Sequence, residues 1–153
     1  MRQRARGICA VAAAGLVAGV AGCDQSVAGD TDGGLDAGGL SVTVVFEGGR
    51  YELALGTLTP TLVEGASVVG LQAVIEAALP GEASAGLVAG FVGSDGFRPE
   101  SREFCETLVP VDWATLAHGF IHPVTRDLLW EAALGFPGCM SPRDIAELEV
   151  TRP

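Results

Sequence analysis

The groups best suited to recognising a ligand crowd between Asp95 and Glu103. There the run Asp95-Gly96-Phe97-Arg98-Pro99-Glu100-Ser101-Arg102-Glu103 combines carboxylates, two guanidiniums, an aromatic ring and a stiffening proline. Asp95, Phe97, Arg98 and Arg102 are the candidate contacts for a ligand or partner. The same composition also describes a solvated loop with local ion pairs, each of little worth at a surface, and the residues alone leave both readings open. Signs of catalysis are weaker. Ser84, Ser94, Ser101 and Ser141 lack a Gly-x-Ser-x-Gly elbow. Carboxylates are so numerous that no pair stands out for acid–base work, and glycoside hydrolysis would need a separation that only a fold can set. Neither a Gly-x-Gly-x-x-Gly fingerprint nor a phosphate loop occurs. The chemistry on offer is recognition rather than reaction.

Before the folded part comes a segment of another kind. Arg2, Arg4 and Arg6 form a basic head, and Gly7 to Ala21 is an unbroken run of small and aliphatic residues with one cysteine. At about 15 residues the run is shorter than the roughly 20 needed to cross a hydrocarbon core, and it suits the apolar region of an export signal. It closes on Val20-Ala21-Gly22-Cys23, with small residues ahead of the cysteine, and this resembles the lipobox of bacterial lipoproteins. The resemblance implies cleavage after residue 22 and a diacylglycerol on the sulfur of Cys23. Two or three acyl chains would hold the chain at a membrane, because each buried methylene contributes about 0.8 kcal/mol. The expected location is the cell envelope, facing the periplasm or the cell exterior. Asp24 is similar to the inner-membrane retention signal of enterobacterial lipoproteins, a rule not shared by all bacteria, so the leaflet stays open.

Residues 23–39 then read as a lipidated cysteine followed by a tether of mostly Gly, Ala, Ser and Asp, with too little apolar surface to offset the entropy of ordering it. Asp30-Thr31-Asp32-Gly33-Gly34 hints at a calcium loop but lacks the further oxygen ligands and the closing glutamate of an EF-hand. Without the basic head, six arginines face 19 acidic residues, a formal charge of −13, and the chain contains no lysine. That balance repels phosphate backbones and excludes nucleic acid as a partner. It offers anionic lipids no attraction either, so the expected membrane contact is the lipid itself, with an envelope protein or a small ligand as the partner of the domain.

The lipobox resemblance also sorts the cysteines. Cys9 leaves with the signal and Cys23 carries lipid, so Cys105 and Cys139 remain to pair in an oxidising compartment. Their bridge would close about 34 residues, for which chain entropy gives on the order of 3–4 kcal/mol. The alternative is a zinc site joining them to His118 and His122, though the Cys-x-x-Cys knuckle is missing and Pro123 disfavours helix at His122.

The elements that must position these groups lie in residues 40–153, a single small domain. Ser41 to Phe46 is β-branched and aromatic, hence a strand; Glu47 to Arg50 is a turn, and Tyr51 to Leu55 returns as the second strand of a hairpin. Leu71, Val74, Ile75, Ala78 and Leu79 follow the spacing of an amphipathic helix stopped by Pro80-Gly81. Gly86 to Gly93 suits a buried strand, ended by the turn Ser94-Asp95-Gly96. Phe97 to Leu108 should be a loop or short helix carrying Cys105. Asp112 is placed to cap a short helix over Trp113 to Ala117. Phe120-Ile121 and Asp127 to Glu131 read as paired strands, Ser141-Pro142-Arg143-Asp144 as a helix start of one turn, and Glu147 to Thr151 as the last strand. Trp113, Phe120, Trp130 and Phe136 are expected in the core. The class is α+β, a mixed or antiparallel sheet with one main helix and one disulfide.

This order of pieces resembles the molybdopterin-binding domain of sulfite oxidase-type oxidoreductases. The similar features are the opening hairpin, Gly65 followed by Val68-Val69-Gly70-Leu71-Gln72-Ala73-Val74-Ile75 as entry to the helix, the Ser94-Asp95-Gly96-Phe97 turn, and the closing strand through Glu149-Val150. The resemblance implies a redox cofactor, but the sequence departs where it matters. That family holds molybdenum through a cysteine ahead of the helix, and here no cysteine lies between Cys23 and Cys105. Arg, Lys and His for the pterin phosphate are scarce. The resemblance therefore implies a domain without cofactor, serving as a scaffold or binding module, with a small oxidoreductase as the alternative.

Overall fold

The computed structural model describes residues 40–83 and 85–153. The signal segment, Cys23, the tether and its calcium-like stretch lie outside these residues.

Strand β1 (Ser41–Phe46) buries Val42, Val44 and Phe46 on one face. It pairs antiparallel with β2 (Gly49–Ala54) across the two-residue turn Glu47-Gly48. Both turn residues take positive φ, 48° and 82°, the conformation whose twist matches the flanking strands. A second hairpin of the same design follows. β3 (Thr61–Val63) meets β4 (Ala66–Gly70) across Glu64-Gly65, at φ 49° and 83°. Helix α1 (Leu71–Ala78) then buries Leu71, Val74 and Ile75, and Leu79 caps its end before Pro80. β5 (Val88–Gly93) is apolar throughout; β6 (Val111–Asp112) leads into α2 (Trp113–Leu116), where the Asp112 carboxylate accepts the Thr115 N–H at 2.7 Å. β7 (Gly119–Ile121), β8 (Leu128–Trp130) and β9 (Ile145–Thr151) complete the fold.

The class is α+β, but the strands divide into two sheets. One is five-stranded and mixed, in the order β2-β1-β9-β5-β6, with β1 parallel to β9. The other is four-stranded and antiparallel, in the order β3-β4-β7-β8. Helix α1 touches β2 of the first and both β4 and β7 of the second. Inward residues of both sheets, among them Val44, Phe91, Leu148, Val69, Ile121 and Leu128, join Leu71 and Ile75 in one buried cluster. Along β9 the alternation is plain: Leu148 and Val150 are buried, while Glu147 and Glu149 face outward.

Several boundaries differ from the sequence reading. The hairpin Thr61–Gly70 was legible only as the approach to a helix, and it supplies half of the second sheet. Ser141 to Asp144 forms no helix. Asp144 holds φ 50° and the carbonyl of Pro142 accepts the Leu128 N–H at 3.0 Å, so the segment is drawn into strand-like bonding. β9 accordingly starts at Ile145, two residues before Glu147. The return strand begins at Gly49 and leaves Leu55 to a 3-10 turn, and the strand expected from Gly86 begins at Val88. Trp113, Trp130 and Phe136 pack half-buried against the core, as expected, while Phe120 stays outside it.

Cys105 and Cys139 form a disulfide, with Cα atoms 6.4 Å apart. It ties the segment after the Arg98 loop to the 3-10 turn Gly138–Met140. The zinc alternative is overturned, since both sulfurs are spent. His118 instead faces Glu131 at 2.9 Å, and the Nδ1 of His122 accepts the N–H groups of Val124 and Thr125 at 3.2 and 3.3 Å.

Candidate functional site

The predicted contact loop starts from the turn after β5. Gly93 donates to the carbonyl of Phe97 at 2.8 Å, and Asp95 Oδ1 accepts the Phe97 N–H at 2.9 Å, so the Asp95 side chain shapes its own turn. Gly96 holds φ 80° there. Arg98 leaves the loop altogether. It folds over the outward face of the five-stranded sheet and donates from both terminal nitrogens to Glu149, at 2.6 Å each, with Glu100 at 3.4 Å. The paired guanidinium holds the Glu149 carboxyl below its usual range, a shift only partly opposed by burial. Arg102 lies over the Phe97 ring, 5.8 Å from its centroid. The structure thus joins Asp95 with Phe97 and Phe97 with Arg102, and sends Arg98 elsewhere. In each case the polar group is already engaged by its own neighbours.

Beside the Arg98 bridge lies a cavity of about 220 Å³ lined by Gly90, Glu100, Val109, Pro110, Glu149 and Thr151. Glu100 Oε2 is buried there without a hydrogen-bond partner among the described residues. The opposite oxygen faces Arg98, and more than a third of the Glu100 side chain meets solvent. The arrangement is an ion-pair cluster with room beside it.

A different surface is built for apolar contact. On β7 and β8 side chains alternate between the two faces of the sheet: Ile121 and Leu128 enter the core, while Phe120 and Leu129, paired in register, face outward. Gly70 pairs with Phe120 and has no side chain to cover it; no atom lies within 4 Å of where its Cβ would be. Ala66 and Val68 share that outward face on β4, and Val63, paired with Ala66, extends it onto β3. Val68 is fully buried, yet it belongs to this face and not to the main core cluster. Together Val63, Glu64, Ala66, Val68, Phe120, Leu129 and Trp130 line a groove of about 160 Å³. That volume receives one group of about the size of benzene. Glu64, exposed at the hairpin turn, is its single charged lining residue.

Trp130 anchors the groove from below. Its ring lies edge-on to Phe91 and Phe136, with centroids 5.8 and 5.1 Å away, and its indole N–H donates to the carbonyl of Met140. The opposite position in β7 is Gly119, where a Cβ would sit 2.6 Å from both the indole ring and Leu71. The groove was not foreseen from sequence. Its signal was the Glu64-Gly65 pair between short β-branched runs, a two-residue hairpin cue of the same kind as Glu47-Gly48.

Among the described residues no cluster of three or more His, Cys, Asp or Glu is placed to hold a metal ion, and no helix is long and apolar enough to cross a membrane. Comparison with protein-family models, with curated proteins and with solved structures returned no match.

Proposed function

We propose that the chain is a bacterial envelope lipoprotein whose folded domain is a non-catalytic binding module, with the groove over Phe120 and Leu129 as its contact surface. The observation that carries the domain's role is that groove: a mostly apolar recess on the outward sheet face, framed by two hairpin strands and a single carboxylate. A concave site of this size, lined mostly by apolar side chains, has room for one apolar group of a partner or ligand. The anchoring part of the reading rests on the basic head, the apolar run and Val20-Ala21-Gly22-Cys23. In this reading residues 1–22 are removed, Cys23 carries lipid, residues 24–39 are a tether, and the domain stands off in water.

The resemblance to the molybdopterin-binding domain enters as scaffold only. The cysteine that would hold the metal has no counterpart between residues 24 and 104, and the two cysteines beyond are bonded to each other. Recognition then falls to shape and apolar contact, with an envelope protein or a small ligand as occupant.

Two measurements test the reading. Cys23→Ser should abolish incorporation of labelled palmitate and move the protein from the detergent to the aqueous phase; unchanged labelling would refute the anchor. A photo-crosslinking residue at position 129 should trap a partner in the intact envelope, while the same residue at Glu76, on the exposed side of α1, should not. Equal yields from both positions would remove the groove from the function.

A further inference from the structure

The groove over Phe120 and Leu129 and the cavity beside Arg98 both include carboxylates, and they differ in what answers the charge. In the cavity, Glu100 and Glu149 share the Arg98 guanidinium, so the counter-charge is part of the fold. At the groove, Glu64 has no ion-pair partner among the described residues. The basic groups around β7 and β8 are committed elsewhere. His118 faces Glu131, His122 accepts backbone N–H groups, and Arg126 is held by Asp144. A cation beside Glu64 would have to arrive with the occupant.

The walls restrict which cation fits. Six of the seven lining residues carry no side-chain acceptor, and the one donor among them, the Trp130 indole N–H, is bonded to the Met140 carbonyl. β7, which carries Phe120, is paired on both sides, so its backbone groups serve the sheet. A primary ammonium brings three N–H donors. Glu64 alone could receive them, and donors that leave water unpaired are penalised. A quaternary ammonium brings none. Its methyl groups pack as apolar surface, and its charge is attracted to an aromatic face as well as to a carboxylate. A trimethylammonium group is also about as bulky as benzene, the size the groove admits.

We propose that the groove binds the quaternary ammonium group of a small soluble molecule, its methyl groups packed against Val63, Phe120 and Leu129 and its charge beside Glu64. This rests on the reading of the groove as the contact surface, and the test separates the two. The probes are choline, its uncharged isostere with carbon in place of the ammonium nitrogen, and ethanolamine, the primary ammonium. Each is titrated against the full chain in a nonionic detergent and followed through the methyl resonances of Val63 and Leu129.

Choline should bind about fivefold more tightly than either the isostere or ethanolamine. Glu64→Gln should weaken choline about threefold and leave the isostere unchanged, while Glu76→Gln, on the exposed side of α1, should weaken neither. Leu129→Arg should abolish binding of every probe, and so should Val63→Arg, a second variant at a half-buried hairpin position. Equal weakening by the two glutamine variants would mean that net charge alone attracts choline, and would overturn the proposal. If choline binds no more tightly than its isostere, and Leu129→Arg abolishes both, the groove stands and the quaternary ammonium falls. Ethanolamine binding as tightly as choline would overturn the choice of an alkylated nitrogen. Should neither arginine variant affect binding, the groove and its ligand fall together. Absence of saturable binding by choline would also refute the proposal and leave the groove to the crosslinking test.

Discussion

Arg126 and Asp144 face each other where the two sheets meet, and both hold a backbone conformation that side chains rarely adopt. Arg126 lies in the loop between β7 and β8 at φ 58°, Asp144 directly before β9 at φ 50°. Arg126 Nε donates to Asp144 Oδ1 at 2.8 Å, and its Nη1 reaches the carbonyl of Ser41 at 3.1 Å. Ser94 donates its hydroxyl to the other oxygen of Asp144, and the Asp144 N–H donates to Asp127 at 3.2 Å. One guanidinium therefore links the starts of β1 and β9 to the second sheet, and the surrounding bonds hold two strained residues in place.

Arg126→Met should consequently destabilise the domain by about 1 kcal/mol, the usual net contribution of a hydrogen-bonded pair that water can still reach. Asp144→Asn should lose less than Asp144→Val, because asparagine tolerates positive φ and a β-branched residue does not. Urea midpoints of the three variants check the order. Equal loss in the asparagine and valine variants would show that backbone strain plays no part.

Three carboxyls make stability depend on acidity. Asp144 is held below its usual range, first by the Ser94 hydroxyl and then by Arg126. The Thr115 N–H holds Asp112 low and the Arg98 guanidinium holds Glu149 low. A carboxyl whose folded pKa is depressed binds its proton less readily in the folded than in the unfolded chain. Its contribution is thus complete above the ordinary carboxylate range and lost as pH falls through the depressed value. The melting temperature should hold level from pH 7 to about pH 5 and fall steeply below about pH 4. Glu149→Gln should flatten part of that fall, and an unchanged slope would remove the Arg98–Glu149 pair from the account.

Reduction of the Cys105–Cys139 bridge, or Cys105→Ala with Cys139→Ala, should lower stability by about 3–4 kcal/mol through the entropy of a 34-residue loop. Cys105 is fully buried, so part of the loss in the double variant is a small cavity. Thiol titration of the denatured, unreduced protein should find neither of these two sulfurs reactive.

What could be read from the sequence was whatever a short run of residues decides locally. Leu71, Val74 and Ile75 announce α1 by spacing, Asp112 announces the cap of α2, and Cys105 with Cys139 announce their bridge once the other two cysteines are assigned elsewhere. What escaped depends on distant pairing. Phe120 reads as core in its own strand, and only its register with Leu129 and Gly70 turns it outward. Arg98 reads as part of a contact loop until Glu149, far along the chain, is placed beneath it. Ser141-Pro142 carries a genuine helix-start pattern, overridden because Leu128 claims the Pro142 carbonyl and Arg126 claims Asp144.

Gly119 gives the sharpest test of how the groove is supported. The position opposite it in the sheet is Trp130, whose ring lies across the space a side chain at 119 would fill; an added Cβ would sit 2.6 Å from that ring and from Leu71. Neither neighbour can move freely. Leu71 is fully buried at the start of α1, and Trp130 is fixed by Phe91, Phe136 and the Met140 carbonyl. Gly119→Ala should therefore destabilise the domain by about 1–3 kcal/mol, the range for overpacking a well-filled interior. It should also shift the tryptophan fluorescence as the indole is displaced. Gly70→Ala adds the same methyl on the same sheet, where nothing lies within 4 Å and the backbone is ordinary (φ −65°, ψ 138°), and it should leave stability within about 0.5 kcal/mol. If the two variants melt together, Trp130 does not rest on Gly119.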